Sequence, residues 1–324
     1  MAEIVPAKRV LVTGASGFAG CSVIPELASA GYEVHATARR SCSVRGATRF
    51  VVADLLEAPL DPLLEGMDAV VHLAARAHVM HERARDPEAE YMRDNCVLTQ
   101  QLAMAALRMG VRRFVFSSSI KVMGESTHEL PFTESDPARP LDAYGRSKLA
   151  AERILEGIAR ESNLAVVILR PPLMYGPGVR GNLLRLMRLV DKDIPLPVSS
   201  IGNYRSLLGV RNFGSAVSAI LSAPAQPYRA YLVSDGEAVS TPELVRIIAK
   251  ALGKRARSFA FPKVILQMAA NAIGRRREVD RMTESLVVDD SLFREELGWS
   301  PPFSLAEGLA QMAMAYRESL TSAR

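Results

Sequence analysis

The sequence predicts an α/β protein: a doubly wound parallel sheet followed by a smaller mixed C-terminal lobe. Three observations carry this. Short β-rich runs alternate with helical stretches through the first half, the order that builds parallel strands joined by crossover helices. The runs are apolar nearly throughout, as expected of strands covered on both faces. After residue 171, prolines and glycines cluster in "RPPLMYGPG" and the alternation breaks.

The elements follow in order. Arg9 to Thr13, "RVLVT", predicts the first strand, and "GCSVIPELASAG" the first helix. Tyr32 to Thr37 is a second strand and "RFVVAD", Arg49 to Asp54, a third. "DAVVHLAA", Asp68 to Ala75, is a fourth, and one long helix is expected from about Pro87 to Met109. "RRFVFSSS" is a fifth strand, "AYGRSKLAAERILEGIARES" a helix with Ala-rich faces, and "LAVVILRP", Leu164 to Pro171, a sixth strand. Beyond it, helices mix with short strands. A division at residue 171 is expected, with residues 172–324 forming a substrate lobe partly interleaved with the sheet.

Composition narrows the class. The chain has 324 residues, and 48 % of them are hydrophobic, enough for a large core and too many for disorder. No apolar run approaches the ~18 residues that span a bilayer. The opening "MAEIVPAKRV" carries Glu3 and lacks the apolar centre of a secretory leader. A cytoplasmic protein without a membrane partner is expected. Cys21, Cys42 and Cys96 are odd in number and share no metal-like spacing, which fits free thiols and no metal. Net charge is +5, with one cluster, "GRRRE", Gly274 to Glu278. That cluster reads as a solvated loop or an anion contact. No nucleic-acid motif or interleaved aromatics accompany it, so no nucleic-acid partner is expected.

The motifs carry the chemistry. "VLVTGASGFAG" places Gly14, Gly17 and Gly20 directly after a strand and at the start of a helix, the setting of a dinucleotide-binding (Rossmann) loop. Gly14 permits the tight turn, Gly17 a close approach to pyrophosphate, and Gly20 close helix–strand packing. The helix N-terminus offers partial positive charge. Where an acid would bind a free ribose 2′-hydroxyl, the chain has Arg39 and Arg40. Arginine pairs with a 2′-phosphate, so NADP is expected. NAD is the alternative, because loop arginines are often only solvated. Tyr144 and Lys148, four apart in "DAYGRSKLAAE", share one helix face, about 6 Å apart. An ammonium neighbour lowers a phenol's pKa towards a working acid–base. Three serines end the fifth strand, at the rim where α/β sheets bind ligands.

The glycine spacing and "TGASGFAG" resemble the extended branch of the short-chain dehydrogenase/reductases, the NAD-dependent epimerase/dehydratase family. "HLAARAHVMHE", "SSSIKVMGE", "YGRSKLAAE" and "ELGWSPP" are most similar to bacterial nucleotide-sugar 4-epimerases and 4-keto reductases of surface polysaccharide synthesis. The resemblance implies Ser119 as the catalytic serine beside Tyr144 and Lys148, with Ser118 the fallback. Ser118 and Ser119 would also face the substrate. For the cofactor it implies Gly14, Ser16, Gly17, Phe18, Gly20, Arg39, Arg40, Asp54, Leu55, Leu73, Ala74, Ala75, Asn95, Ser117, Tyr144, Lys148, Pro171 and Pro172. Ser117 is read chiefly as a structural strand end, and Asn95 either as a support beneath the site or as a surface helix residue. His72 is read as a packed strand residue. Asn182, Arg205 and Arg281 would hold the nucleotide sugar, the two arginines on its diphosphate or simply at the surface.

The resemblance also limits the reaction. Sugar 4,6-dehydratases carry an Asp-Glu pair where this chain has Ile120 and Lys121, so dehydration is not expected. Met123 replaces a tyrosine common in nucleotide-sugar enzymes, which suggests altered substrate contacts. Reduction of a UDP-4-keto-6-deoxy-N-acetylhexosamine is the expected activity, and UDP-hexose 4-epimerisation the alternative. A reductase of hydrophobic carbonyls and a non-enzymatic dinucleotide sensor rank below both. The resemblance implies a homodimer through the helices near Asn95 and Tyr144.

Overall fold

The computed structural model describes residues 8–77, 85–272, 274 and 276–321. Glu3, residues 78–82 of "HLAARAHVMHE" and Arg275 of the arginine cluster lie outside the described residues.

The chain runs β1 (Arg9–Thr13), α1 (Gly20–Ser29), β2 (Glu33–Ala38), β3 (Arg49–Val52), α2 (Asp61–Leu64), β4 (Ala69–His72), α3 (Pro87–Tyr91), a π turn (Met92–Val97) and α4 (Leu98–Arg108). β5 (Arg113–Ser117), a 3-10 turn (Ile120–Val122), α5 (Ala143–Glu161) and β6 (Ala165–Arg170) follow. The remainder is β7 (Leu173–Tyr175), α6 (Asn182–Asp191), β8 (Arg205–Gly209), α7 (Val210–Ser222), β9 (Tyr228–Leu232), β10 (Ala238–Val239), α8 (Thr241–Ala251), α9 (Lys263–Ala272), α10 (Arg276–Thr283), α11 (Ser291–Leu297) and α12 (Leu305–Thr321).

Seven parallel strands pair in the order β3-β2-β1-β4-β5-β6-β9. The order reverses at β1/β4, which opens a crevice at their C-terminal ends. Side-chain parity explains the double winding. Val10, Val12, Val71, Val115 and Val167 share a core with α1 and α7. Leu11, Val70, Phe114, Phe116, Val166 and Ile168 share another with α4 and α5. Alternate residues point to opposite faces, and both faces are apolar, so the central strands read as unbroken hydrophobic runs. A third core fills the C-terminal lobe around Met187, Ile248, Leu309 and Met312. That lobe also holds the three-stranded sheet β10-β8-β7, antiparallel at one pair and parallel at the other. The doubly wound sheet and the smaller mixed sheet agree with the predicted fold class.

β1 has the expected bounds, and the other predicted strands differ at one or both ends by one to three residues. The expected single helix over 87–109 is three pieces, because one extra residue is accommodated at Met92–Val97. The chain also crosses back after residue 171. β9 joins the edge of the main sheet and α7 packs against α1, where a Cβ on Gly214 would meet Glu26 Cγ at 2.9 Å. Among the described residues no helix is long and apolar enough to cross a membrane.

Candidate active site

The glycine loop leaves β1 at the crevice. Gly14 has φ +72°, and a Cβ there would stand 2.6 Å from Ala74 N. A Cβ on Gly20 would lie 2.4 Å from Gly14 O. The Gly17 N–H donates to that same carbonyl at 2.9 Å, closing the turn. Ser16 and Gly17 are exposed at the turn, while Phe18 reaches the core of the C-terminal lobe. No side chain caps α1, so its positive end stays available to an anion. The cradle thus fits a dinucleotide pyrophosphate, and any side chain on Gly14 or Gly20 would fill it.

A buried chain of hydrogen bonds holds the floor beside this loop. Thr99 Oγ1 donates to Asn95 O at 2.5 Å. It therefore accepts from His72 Nε2 at 3.1 Å, which leaves Nδ1 to accept from Thr13 Oγ1 at 2.7 Å. Thr13 Oγ1 in turn accepts from Ala74 N at 3.2 Å. His72 is fully buried, and desolvation first, then the Lys148 charge, push it down to about 3. A neutral, doubly bonded imidazole is a strut, as expected for a packed strand residue. The segment Leu73, Ala74 and Ala75 is half-buried on the crevice side of this strut.

Asn95 is fully buried, so the surface reading does not hold. Its Oδ1 accepts from Arg76 N at 2.7 Å, and its Nδ2 donates to Arg76 O at 3.1 Å and to Ser147 Oγ at 3.0 Å. The π turn swings it inward, between the loop after β4 and α5. Farther out, Leu55 is buried while Asp54 is exposed and accepts from Leu56 N at 3.1 Å. Arg39 and Arg40 follow β2 and are exposed, with no acid at either position.

Ser119, Tyr144 and Lys148 converge at the C-terminal end of β5. Ser119 caps the 3-10 turn, its Oγ accepting from Lys121 N at 3.3 Å. The turn is pinned to β6 and its continuation: Ser118 N donates to Leu169 O at 2.7 Å and Ile120 N to Pro171 O at 3.0 Å. Pro171 and Pro172 are buried there. Asp142 caps α5 through Gly145 N at 2.7 Å, which sets Tyr144 and Lys148 on the helix's first turns. Burial raises the Tyr144 pKa, its hydrogen bond with Ser119 lowers it, and the Asp142 and Tyr91 charges raise it. Lys148 Nζ donates to Ser117 O at 2.7 Å and lies 4.3 Å from the Phe116 ring centroid. Burial pushes its ammonium down to about 7, against a smaller upward pull from Glu152. Ser118 Oγ is buried with no hydrogen-bond partner among the described residues.

The substrate side is less compact. Arg205 donates to Glu284 O at 3.1 Å, and burial, then the Arg281 charge, lower its pKa. Arg281 is exposed, 3.5 Å from Glu125. The two guanidinium groups repel each other, and the Glu125 carboxylate offsets part of that charge. Asn182 opens α6 and is exposed, after Gly181 at φ +71°. Met123 is buried, and its Sδ accepts from Arg170 Nη1 at 3.2 Å. It packs behind the serine turn with Ile120 and Val122. Lys121 pairs with Glu125 at 3.0 Å and with Asp142. Sequence reasoning missed Glu125 and Asp142. Asp142 is legible as a cap before "AYGRSK", but its ion pair is not.

Residues 10–234 match the family described as NAD dependent epimerase/dehydratase. The chain belongs to that family. Its match spans the glycine loop, the serine turn and α5. Within the epimerase/dehydratase family, the chain is 40 % identical over 316 residues to a UDP-glucose 4-epimerase of Vibrio cholerae, covering 96 % of each. It is 30 % identical to a dTDP-glucose 4,6-dehydratase of Streptomyces griseus, over 96 % of this chain and 94 % of that one. The solved structure of MoeE5 in complex with UDP-glucuronic acid and NAD superposes with a TM-score of 0.79 at 30 % identity. It covers 96 % of this chain and 99 % of the other.

Proposed function

We propose that the protein is an enzyme performing redox chemistry at C4 of a nucleotide sugar. The observation that carries this is the convergence of Ser119, Tyr144 and Lys148 beside the glycine cradle. Gly14, Gly17 and Gly20 would hold the pyrophosphate of a nicotinamide dinucleotide, with Leu73 to Ala75 and Pro171 alongside. When bound, the nicotinamide supplies the site that accepts or donates hydride. Ser119 hydrogen-bonds the sugar's C4 oxygen, and Tyr144 removes or returns the proton on it. Lys148 stabilises the phenolate by its charge. Arg205 and Arg281 bind the diphosphate.

Two forms of this chemistry use the same residues. The 4-epimerase form is supported by the 40 % identical UDP-glucose 4-epimerase and by the NAD named with MoeE5. The 4-keto reductase form, acting on a UDP-4-keto-6-deoxy-N-acetylhexosamine with NADPH, is favoured by Arg39 and Arg40 at the end of β2. Dehydration is disfavoured, because Ile120 is buried and Lys121 is held by two carboxylates. The test is a paired assay. In one arm the protein is mixed anaerobically with NADPH and NDP-4-keto sugars and followed at 340 nm. In the other it receives UDP-glucose, UDP-galactose and their N-acetyl forms. Epimer formation without net cofactor turnover supports the first form, and NADPH consumption the second. Inactivity in both arms sinks the proposal.

A homodimer belongs to this reading. Val97 and Met104, a heptad apart near Asn95, are 40 % and 41 % exposed. Light scattering at micromolar concentration is expected to give twice the chain mass, and a monomer would count against it.

A further inference from the structure

Lys121 stands where a dehydratase has an acid, yet its surroundings give it a different task. Its ammonium pairs with Asp142, the cap of α5, and with Glu125 at 3.0 Å. All three side chains are about a quarter exposed, at 26 %, 26 % and 24 %. Its backbone serves the same site. Lys121 N donates to Ser119 Oγ, and Lys121 O lies where a Cβ on Gly145 would come within 2.7 Å. One residue therefore touches the serine turn with its main chain and the start of the catalytic helix with both main and side chain.

Asp142 lies two residues before Tyr144 and opposes ionisation of its phenol. A bare carboxylate there would work against Lys148. We propose that Lys121 is a positioning residue: by neutralising Asp142 it keeps the helix cap from suppressing the Tyr144 phenolate, and so sets the pH range of turnover. This rests on the reading of Tyr144 as the acid–base group.

The groups facing this centre come from four elements. Tyr144 meets Ser119 from the serine turn, and Tyr91 from α3 edge-on at 6.1 Å, with Arg76 5.5 Å from the Tyr91 ring centroid. Lys148 follows one turn along α5. Burial raises the Asp142 pKa, and Lys121, the bond to Gly145 and the Arg281 charge from α10 together lower it below its ordinary value, while Arg146 also lies in its field. Glu125 competes for both Lys121 and Arg281. Without Lys121, Asp142 keeps only the more distant cations.

The test compares pH profiles of kcat/KM for the wild type, Lys121→Met, Lys121→Arg and the double variant Lys121→Met with Asp142→Asn. Asparagine retains the cap. In parallel, tyrosinate absorbance near 295 nm is titrated in NAD-loaded protein as the difference from Tyr144→Phe, which needs no turnover. In Lys121→Met both readouts of the Tyr144 limb should move up by about one pH unit. Lys121→Arg and the double variant should return it to the wild-type position. An unmoved limb in Lys121→Met, or a shift that persists in the double variant, overturns the proposal. Full turnover by Tyr144→Phe would instead refute the reading of Tyr144 itself.

Discussion

Tyr144→Phe is expected to lower turnover on any accepted nucleotide sugar by about 10²–10⁴-fold, the usual yield of positioned acid–base catalysis. The substitution removes one oxygen and little else. The ring keeps its edge-on contact with Tyr91, and the backbone carbonyl that accepts from Ser147 is untouched. Retained dinucleotide, measured by release on denaturation, should therefore stay at the wild-type level. Burial opposes the phenolate, so the chain needs nearby positive charge to reach it. Lys148 supplies that charge only while protonated. Its own pKa is pushed down to about 7, so its pull fades as pH rises through neutrality in the bare protein. A Tyr144→Phe enzyme with wild-type kcat would remove the basis of the proposed chemistry.

Arg170→Met is expected to destabilise the fold by about 3–5 kcal/mol, read from urea denaturation. Arg170 is 9 % exposed and makes three hydrogen bonds to Glu152, at 2.7, 3.1 and 3.2 Å. Glu152 is 2 % exposed, so removing its partner strands a carboxylate in the core. Adding Glu152→Leu should recover much of the loss, because an apolar pair of similar volume avoids desolvation altogether. The pair lies between α5 and β6, one residue from the Pro171 carbonyl that pins the serine turn. Activity should therefore fall with stability. An unchanged urea midpoint for Arg170→Met would contradict this account.

What could be read from the sequence divides along physical lines. The central strands β1, β4, β5 and β6 were legible because each is apolar on both faces, and a continuous run does not depend on register. Tyr144 and Lys148 could be paired because they lie four apart at a helix start, and the serines because they end a strand, while the choice of Ser119 among the three rested on the family resemblance. Asn95 was not assignable, since a π turn changes which face a residue presents without changing the helical pattern. The burial of Met123 was hidden for a similar reason. Its partner Arg170 ends β6, 47 residues on, and only the fold shows the side chain turning back into the core. The Lys121–Asp142 pair joins residues 21 apart across a loop, which no local pattern encodes. β9 was equally hidden: "YRAYL" marks a strand, but not which sheet it completes.

That late strand matters while the protein is being made. β6 is complete once Arg170 has been synthesised, but its neighbour ends at Leu232, roughly 60 residues later. At about 5–20 residues per second the interval lasts about 3–12 s. Throughout it, the nascent chain displays the bare edge of "AVVILR", a Val- and Ile-rich apolar run without a charge before Arg170. Stalls within the next 60 codons would leave six of the seven strands made and this edge unpaired, an aggregation hazard.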